Sequence, residues 1–402
     1  MGKKLNFLYS ALHSSYWVYY GVISSFSSVF LLARGFSNSQ IGIILAIGNV
    51  LAVMIQPYLA DVIDRSEKIS IFGVMSWLAA VLILLSMFIL FTENIVFLAV
   101  FYITTFMIMT VMQPFCNGLN KVLEESGERI YFGFCRSIGS LVYGIAVAAL
   151  GYFVELYSVD IIPKTGILTA ALLLLIIYFS WKNYHINKRK LNFHDNRNQK
   201  EAEKIDLRSF IRAHKMFLLV NIGVFGLYIG NATVNTFMAQ IVKSVGGGNG
   251  DVGIVLSVLA FLEVPAMMTF DRYSRKFTCN RLLKFSATVF VVWLIGCTLS
   301  PDVATLIVVQ STQLCSLAVF LPAMVKYIDE NMRKGEEIKG HTLFTTTTTV
   351  AAVVTSLAGG FILDISSARV LLAIASALTI IGAVFVYIYI DKATEESKER
   401  NI

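Results

Sequence analysis

From Asn6 to Ile390 the chain is a succession of apolar runs separated by short polar turns. Each run is about 20 residues long, the length an α-helix needs to cross a bilayer. In lipid every backbone N–H and C=O must find a partner inside its own segment, so each run reads as a helix. Breaks at charged residues and at Gly, Asn and Pro give twelve spans, at 6–33, 38–62, 69–92, 95–117, 134–156, 163–181, 216–242, 251–270, 282–300, 303–327, 341–363 and 369–390. Composition rules out a soluble core of the same helices. Only 15% of the 402 residues are charged, against about 25% in soluble proteins. The expected fold is an all-α integral membrane protein with twelve transmembrane helices in two six-helix bundles. The first run is too long for a signal peptide and has no small-residue cleavage site.

Charge placement gives the topology. With the N-terminus inside, 29 of the 33 Lys and Arg fall on the inner side; only Arg34, Lys164, Lys243 and Arg369 fall outside. Such a bias is the positive-inside signal of a multi-pass membrane protein. It accounts for the net charge of +7 without a nucleic-acid partner. Residues 182–215 form the one long polar segment. It reads as a cytoplasmic linker, either a helix lying on the bilayer surface or a solvated connection. The expected organisation is a first bundle over 1–181, a second over 216–390, and a cytoplasmic tail over 391–402. The inner membrane, with both termini in the cytoplasm, is the expected location.

Enzyme signatures are missing. No H-E-x-x-H, G-x-S-x-G or intramembrane acidic pair at metal-ligand spacing occurs, so neither catalysis nor a metal or cofactor is expected. The five cysteines lie in or beside apolar segments and read as packing residues. "GGGNG" (Gly246–Gly250) is a flexible outer loop rather than a phosphate cradle.

The halves repeat each other. "QIGIILAIGNV" (Gln40–Val50) and "DVGIVLSVLAF" (Asp251–Phe261) each open the second span of a half, and each of those spans ends in a charged Asp-Arg turn, Asp64-Arg65 and Asp271-Arg272. Two repeated six-helix halves are a recurring transporter plan with the binding site near mid-bilayer. With these motifs, with "FGFCRSIGSLVY" (Phe132–Tyr143), "LEVP" (Leu262–Pro265) and "VVQSTQLCSLAVFLPAMVKYI" (Val308–Ile328), the chain resembles the major facilitator superfamily, and within it the lactose permease and phenylpropionate permease branch of proton symporters. The resemblance implies a monomeric secondary transporter of a small solute.

Glu263 lies about twelve residues into the eighth span. A charge at that depth costs about 2.5–3.5 kcal/mol even on an insertion scale, so such a residue normally faces water or a partner. Arg136, at the start of the fifth span, reads alone either as a topology anchor or as a cavity cation; the resemblance implies the cavity. Tyr143 falls seven residues later, where the resemblance implies a stacking aromatic. His13, Tyr16 and Tyr20 share a helical face, as a binding surface or as packing. Asn117, Asn235, Gln310 and Gln313 complete the candidate contacts, and Asp64, Arg65, Asp271 and Arg272 the candidate gate. The threonine run Thr345–Thr349 reads as hydroxyls bonded back to their own helix.

The chain departs from the branch at its titratable positions. The tenth-span Lys, His and Glu of the sugar permeases fall on Gln310, Gln313 and Ser316, the seventh-span aspartates on Asn231 and Asn235, and the ninth-span arginine on Trp293. Glu263 is left as the main candidate for proton coupling, with His13 second. The function expected is secondary transport of a sugar, nucleoside or aromatic acid, driven by protons if Glu263 titrates. Uncoupled exchange, export, and a non-transporting sensor on the same scaffold are the alternatives.

Overall fold

The computed structural model describes residues 3–65, 69–191, 210, 213–333 and 336–401, without the side chains of 3, 64, 65, 188–191, 263, 264, 266–271, 273, 400 and 401. The first half runs α1 (Lys3–Tyr20), a π-helical turn (Gly21–Ser25), α2 (Ser27–Ala33), α3 (Asn38–Arg65), α4 (Ile71–Phe91), α5 (Ile95–Glu124), α6 (Phe132–Leu156) and α7 (Ile161–Leu191). The second runs α8 (Lys215–Thr236), α9 (Met238–Ser244), α10 (Asn249–Ser274), α11 (Cys279–Leu299), α12 (Val303–Gln310), α13 (Gln313–Asn331), α14 (Glu337–Ile365) and α15 (Ala368–Asn401). Among the described residues ten helical spans are long and apolar enough to cross a membrane, with Val303–Asn331 taken as one; counting each of two bent helix pairs as a further span gives up to twelve.

Three expected spans are not single helices. The first bends by 44° at Phe26, whose N–H reaches back five residues to the Gly21 carbonyl at 3.1 Å. The seventh breaks at Phe237 and the tenth at Ser311–Thr312. Hydroxyls crowd each break and offer the backbone other partners. Ser27 Oγ donates to the Ser24 carbonyl at 2.7 Å, Thr233 Oγ1 to that of Ile229 at 2.8 Å, and Thr312 Oγ1 to that of Val309 at 2.7 Å. The loop after α9 turns the chain by 118°, with Gly246 at φ +85°, which side chains disfavour.

Prolines inside helices are compensated where neighbours reach them. Pro114 has no N–H for the Thr110 carbonyl, and Gln56 Nε2 of α3 donates to that oxygen at 3.0 Å. Ser70, Asn94 and Asp302 cap α4, α5 and α12. The Thr305 N–H, 2.8 Å from Asp302 Oδ1, holds that carboxyl below its usual range.

Contacts group the chain into two compact units, Met1–Asp195 with Gly247–Val264, and Asn196–Gly246 with Pro265–Ile402. In the first, α1 packs on α6 and α7, α3 on α5, and α4 on α5 and α7. In the second, α8 packs on α15 and α14, and α11 on α13 and α15. Lipid tails are as apolar as leucine, so close backbone packing rather than hydrophobic exclusion holds such helices together. At the α8–α15 crossing a Cβ on Gly226 would stand 2.6 Å from the Leu378 carbonyl oxygen. Outward faces stay apolar: α4 exposes Trp77, Leu84 and Phe91, and α7 exposes Leu168 and Leu175. The last helix continues through Asp391 to Asn401, and Glu396 Oε2 accepts from the Met216 N–H at 3.1 Å.

Candidate functional site

In the first unit the candidates gather where α1 meets α6. Arg136 sits in the second turn of α6, half-buried, its guanidinium carbon 4.0 Å from the centre of the Trp17 ring. Its Nη1 donates to Ser140 Oγ, one turn on, at 3.0 Å. A cation over an indole face gains roughly 0.5–2 kcal/mol, and more as water is withdrawn. The planar fork holds five donors suited to a carboxylate or a pair of hydroxyls. Two turns further, the Tyr143 hydroxyl lies 2.9 Å from Ser25 Oγ in the π-helical turn. Tyr20 meets Trp17 with ring centres 5.1 Å apart and planes tilted by 54°.

His13 and Tyr16 take interior places on the same helix. Tyr16 is 1% exposed and donates to the Met109 carbonyl of α5 at 3.0 Å. His13 is fully buried, edge-on to Tyr9 at 4.7 Å and to Phe132 at 5.9 Å. Gly139 lets α6 come close, since a Cβ there would sit 3.0 Å from His13 Cβ. Neither His13 ring nitrogen, nor Trp17 Nε1, has a hydrogen-bond partner among the described residues. An orphaned buried donor costs about 1–3 kcal/mol, so these atoms mark places where a polar guest would be stabilised. Asn117 is half-buried on α5; its carbonyl accepts from the Tyr9 hydroxyl at 3.1 Å.

The second unit carries a chain of amides at the break between α12 and α13. Gln313 Nε2 donates to Asn231 Oδ1 at 3.0 Å, and Asn235 Nδ2 donates to the same oxygen at 3.2 Å. Gln310 Oε1 accepts from Trp293 Nε1 at 2.7 Å. An indole only donates, which fixes the orientation of that amide. Gln310 and Gln313 are 0% and 1% exposed, and Gln310 Nε2 and Gln313 Oε1 are buried without partners among the described residues. Nearby Tyr228 meets Phe320 and Phe344 edge-on at 6.3 and 5.9 Å. The threonines of α14 bond back into their helix as the sequence predicts: Thr347 to Leu343 at 2.8 Å, Thr348 and Thr349 to Thr345 at 2.9 Å.

Four candidates have side chains outside the described residues: Glu263, Asp64, Arg65 and Asp271. The backbone of α10 is helical through Glu263 and Pro265. Arg272 is exposed near its end.

The sequence reading passed over Trp17, Ser25 and Ser140. Trp17 had a signal: it lies four residues from His13, on the face already marked by His13, Tyr16 and Tyr20. Ser25 had none, because only the π-helical turn brings it to Tyr143.

Apolar helical spans arranged in this order, with polar groups gathered inside the helix packing, define a membrane transporter of the major facilitator type. The model of the MFS_1-like family matches residues 9–374, and the chain belongs to that family. A Bacillus subtilis (strain 168) protein described as the uncharacterized transporter YwbF is 22% identical over 313 residues, 77% of this chain and 73% of that protein. The crystal structure of the nucleoside transporter NupG superposes with a TM-score of 0.78 at 13% identity, over 96% of this chain and 99% of the other. The inward-open xylose transporter XylE from E. coli gives 0.69 at 12%, over 99% of each. At these identities the solved structures speak for the fold alone, all-α with twelve helices; membership of the family makes the chain a transporter, which is not an enzyme.

Proposed function

We propose that the chain is a proton-coupled secondary transporter of a small polar or amphipathic solute, a sugar, nucleoside or aromatic acid, of the lactose and phenylpropionate permease branch. In this reading residues 1–181 and 216–390 are two six-helix bundles joined by the cytoplasmic linker 182–215. Alternating access is gated at Asp64-Arg65 and Asp271-Arg272, in a monomer of the inner membrane with both termini in the cytoplasm. The observation that carries the reading is Arg136 stacked on Trp17 beside Ser140 and Tyr143. A guanidinium on an aromatic wall recognises a ring that bears hydroxyls or a carboxylate. The buried amides of Gln310 and Gln313 and the half-buried amide of Asn235 supply neutral donors and acceptors for the same class of solute. The nucleoside transporter NupG and the xylose transporter XylE move solutes of this class on the same fold.

Coupling is assigned to Glu263, by its depth in α10 two residues before Pro265. A carboxyl in a partly dry pocket has its affinity for a proton raised, and a proline that removes a helix hydrogen bond makes a natural bending point. A second reading, uncoupled exchange, is favoured by the amides at Asn231, Asn235, Gln310 and Gln313, none of which titrates. Proteoliposomes separate the two. Nucleosides, hexoses and aromatic carboxylates are offered with and without an inward proton gradient. The parent should accumulate at least one class under the gradient, and Glu263→Gln should keep only exchange down the solute's own gradient. Accumulation by Glu263→Gln at the parent's level would end the coupling assignment; exchange of no solute class by either protein would end the transport reading.

A further inference from the structure

A cavity of about 710 Å³ opens in the second unit, where the α10–α11 turn, the end of α13 and the extension of α15 converge. Six cations and two carboxylates line it. Some of that charge is used internally. Lys284 pairs with Asp391 at 2.5 Å, Lys326 pairs with Glu330 at 3.6 Å and donates to the Ser274 carbonyl at 3.0 Å. The other four, Arg275, Lys276, Arg281 and Lys398, are exposed and have no ion pair or hydrogen bond among the described residues. In the sequence, the Asp271-Arg272 start of this turn reads as a candidate gate and its other cations as basic inner-loop charge.

The start of α11 sharpens the picture. Thr278 occupies the N-cap with extended backbone, yet its side chain caps nothing. The corresponding start of the third span is closed: Ser70 Oγ accepts from the Gly73 N–H at 3.1 Å. The first-turn amides of α11 are therefore left to whatever fills the cavity, and with the helix dipole they favour an anion. Four unpaired cations, a concave wall and an uncapped helix start together fit one ligand chemistry. We infer that this cavity binds a phosphate group, carried either by an anionic phospholipid headgroup at the inner membrane surface or by a soluble phosphorylated compound. Basic pockets between helices on the inner side are sites of this kind. The site is apart from the proposed solute contacts, and its test does not read transport.

The test uses full-length protein in zwitterionic phosphatidylcholine mixed micelles. To these, phosphatidylglycerol is added in one arm and inorganic pyrophosphate in the other, and thermal stability and native mass spectra are recorded. The parent should gain stability and retain the added anion in one arm. Retention of phosphatidylglycerol identifies the lipid source, retention of pyrophosphate the soluble one. A quadruple variant, Arg275→Gln, Lys276→Gln, Arg281→Gln and Lys398→Gln, should bind that anion ~10-fold or more weakly. A control with equal charge loss elsewhere, Lys121→Gln, Lys182→Gln, Lys215→Gln and Lys392→Gln, should bind like the parent. No gain in either arm, equal binding by the quadruple variant, or equal loss in the control would overturn the inference.

Discussion

The two units build their polar interiors from different chemistry. The first puts a guanidinium against an indole, Arg136 on Trp17, with Tyr20 tilted beside that indole. The second puts amides in series, Asn235 and Gln313 on Asn231 and Trp293 on Gln310. A buried cation needs a partner and sets a strong orienting field. A chain of amides carries no net charge and keeps its hydrogen bonds at every pH the protein meets. The difference teaches that the units make unequal contributions in the proposed transport: the first discriminates by charge and ring stacking, the second by hydrogen-bond pattern. The second unit holds these amides where the resemblance implies titratable groups, and leaves Gln310 Nε2 and Gln313 Oε1 buried without partners among the described residues. Trp293 donates to Gln310 in a neutral hydrogen bond at positions where the resemblance implies an arginine and a lysine.

The comparison breaks first at Gln310. Gln310→Glu places a carboxylate in the fully buried site beside Trp293 and should destabilise the protein by ~3 kcal/mol, read as a lowered midpoint in detergent. Adding Trp293→Arg should recover most of that loss; no recovery would mean the two residues are not a pair. Next comes Arg136. Arg136→Gln should reduce solute affinity by roughly 100-fold, in keeping with truncation of a buried charged partner, with little change in folded yield. A large fall in yield with affinity intact would return Arg136 to a topology anchor. Gln313→Ala should weaken solute binding by about 1 kcal/mol, the worth of a neutral hydrogen bond, and the weakening should be flat between pH 5.5 and 8. The smallest contrast is at the helix starts. Ser70→Ala should cost about 1 kcal/mol through loss of its cap, whereas Thr278→Ala should fall within about 0.5 kcal/mol of zero, as at a surface site with no such role. Equal losses at the two would show that Thr278 caps α11 in solution.

Much of the architecture was legible because it follows from solvent. A run of twenty apolar residues has one way to satisfy its backbone in lipid, and loop charge has one favoured side. Membrane class and the twelve-helix fold follow from those rules, and Arg136, Tyr143, Gln310 and Gln313 stood out as candidates because polarity is costly in such runs. Periodicity grouped His13, Tyr16 and Tyr20, but a shared face does not say what lies opposite. Packing put Tyr16 on the Met109 carbonyl, buried His13 under Gly139, and left Tyr20 beside Trp17. The breaks at Phe26, Phe237 and Ser311–Thr312 escaped notice because hydropathy sums over a window, whereas a hydroxyl acts on one carbonyl.

What the amino-acid sequence determined by itself is therefore the membrane-spanning segments and the inventory of polar groups within them. These depend on transfer from water to lipid, a property of each residue. The tertiary structure alone decided which polar groups meet. Trp17 lies over Arg136, Ser25 reaches Tyr143 through a π-helical turn, and Asn231 collects two amides across α8 and α13. Such pairings depend on distances of a few ångströms between helices far apart in the chain, and those distances are set by small residues such as Gly139 and Gly226 that let backbones approach.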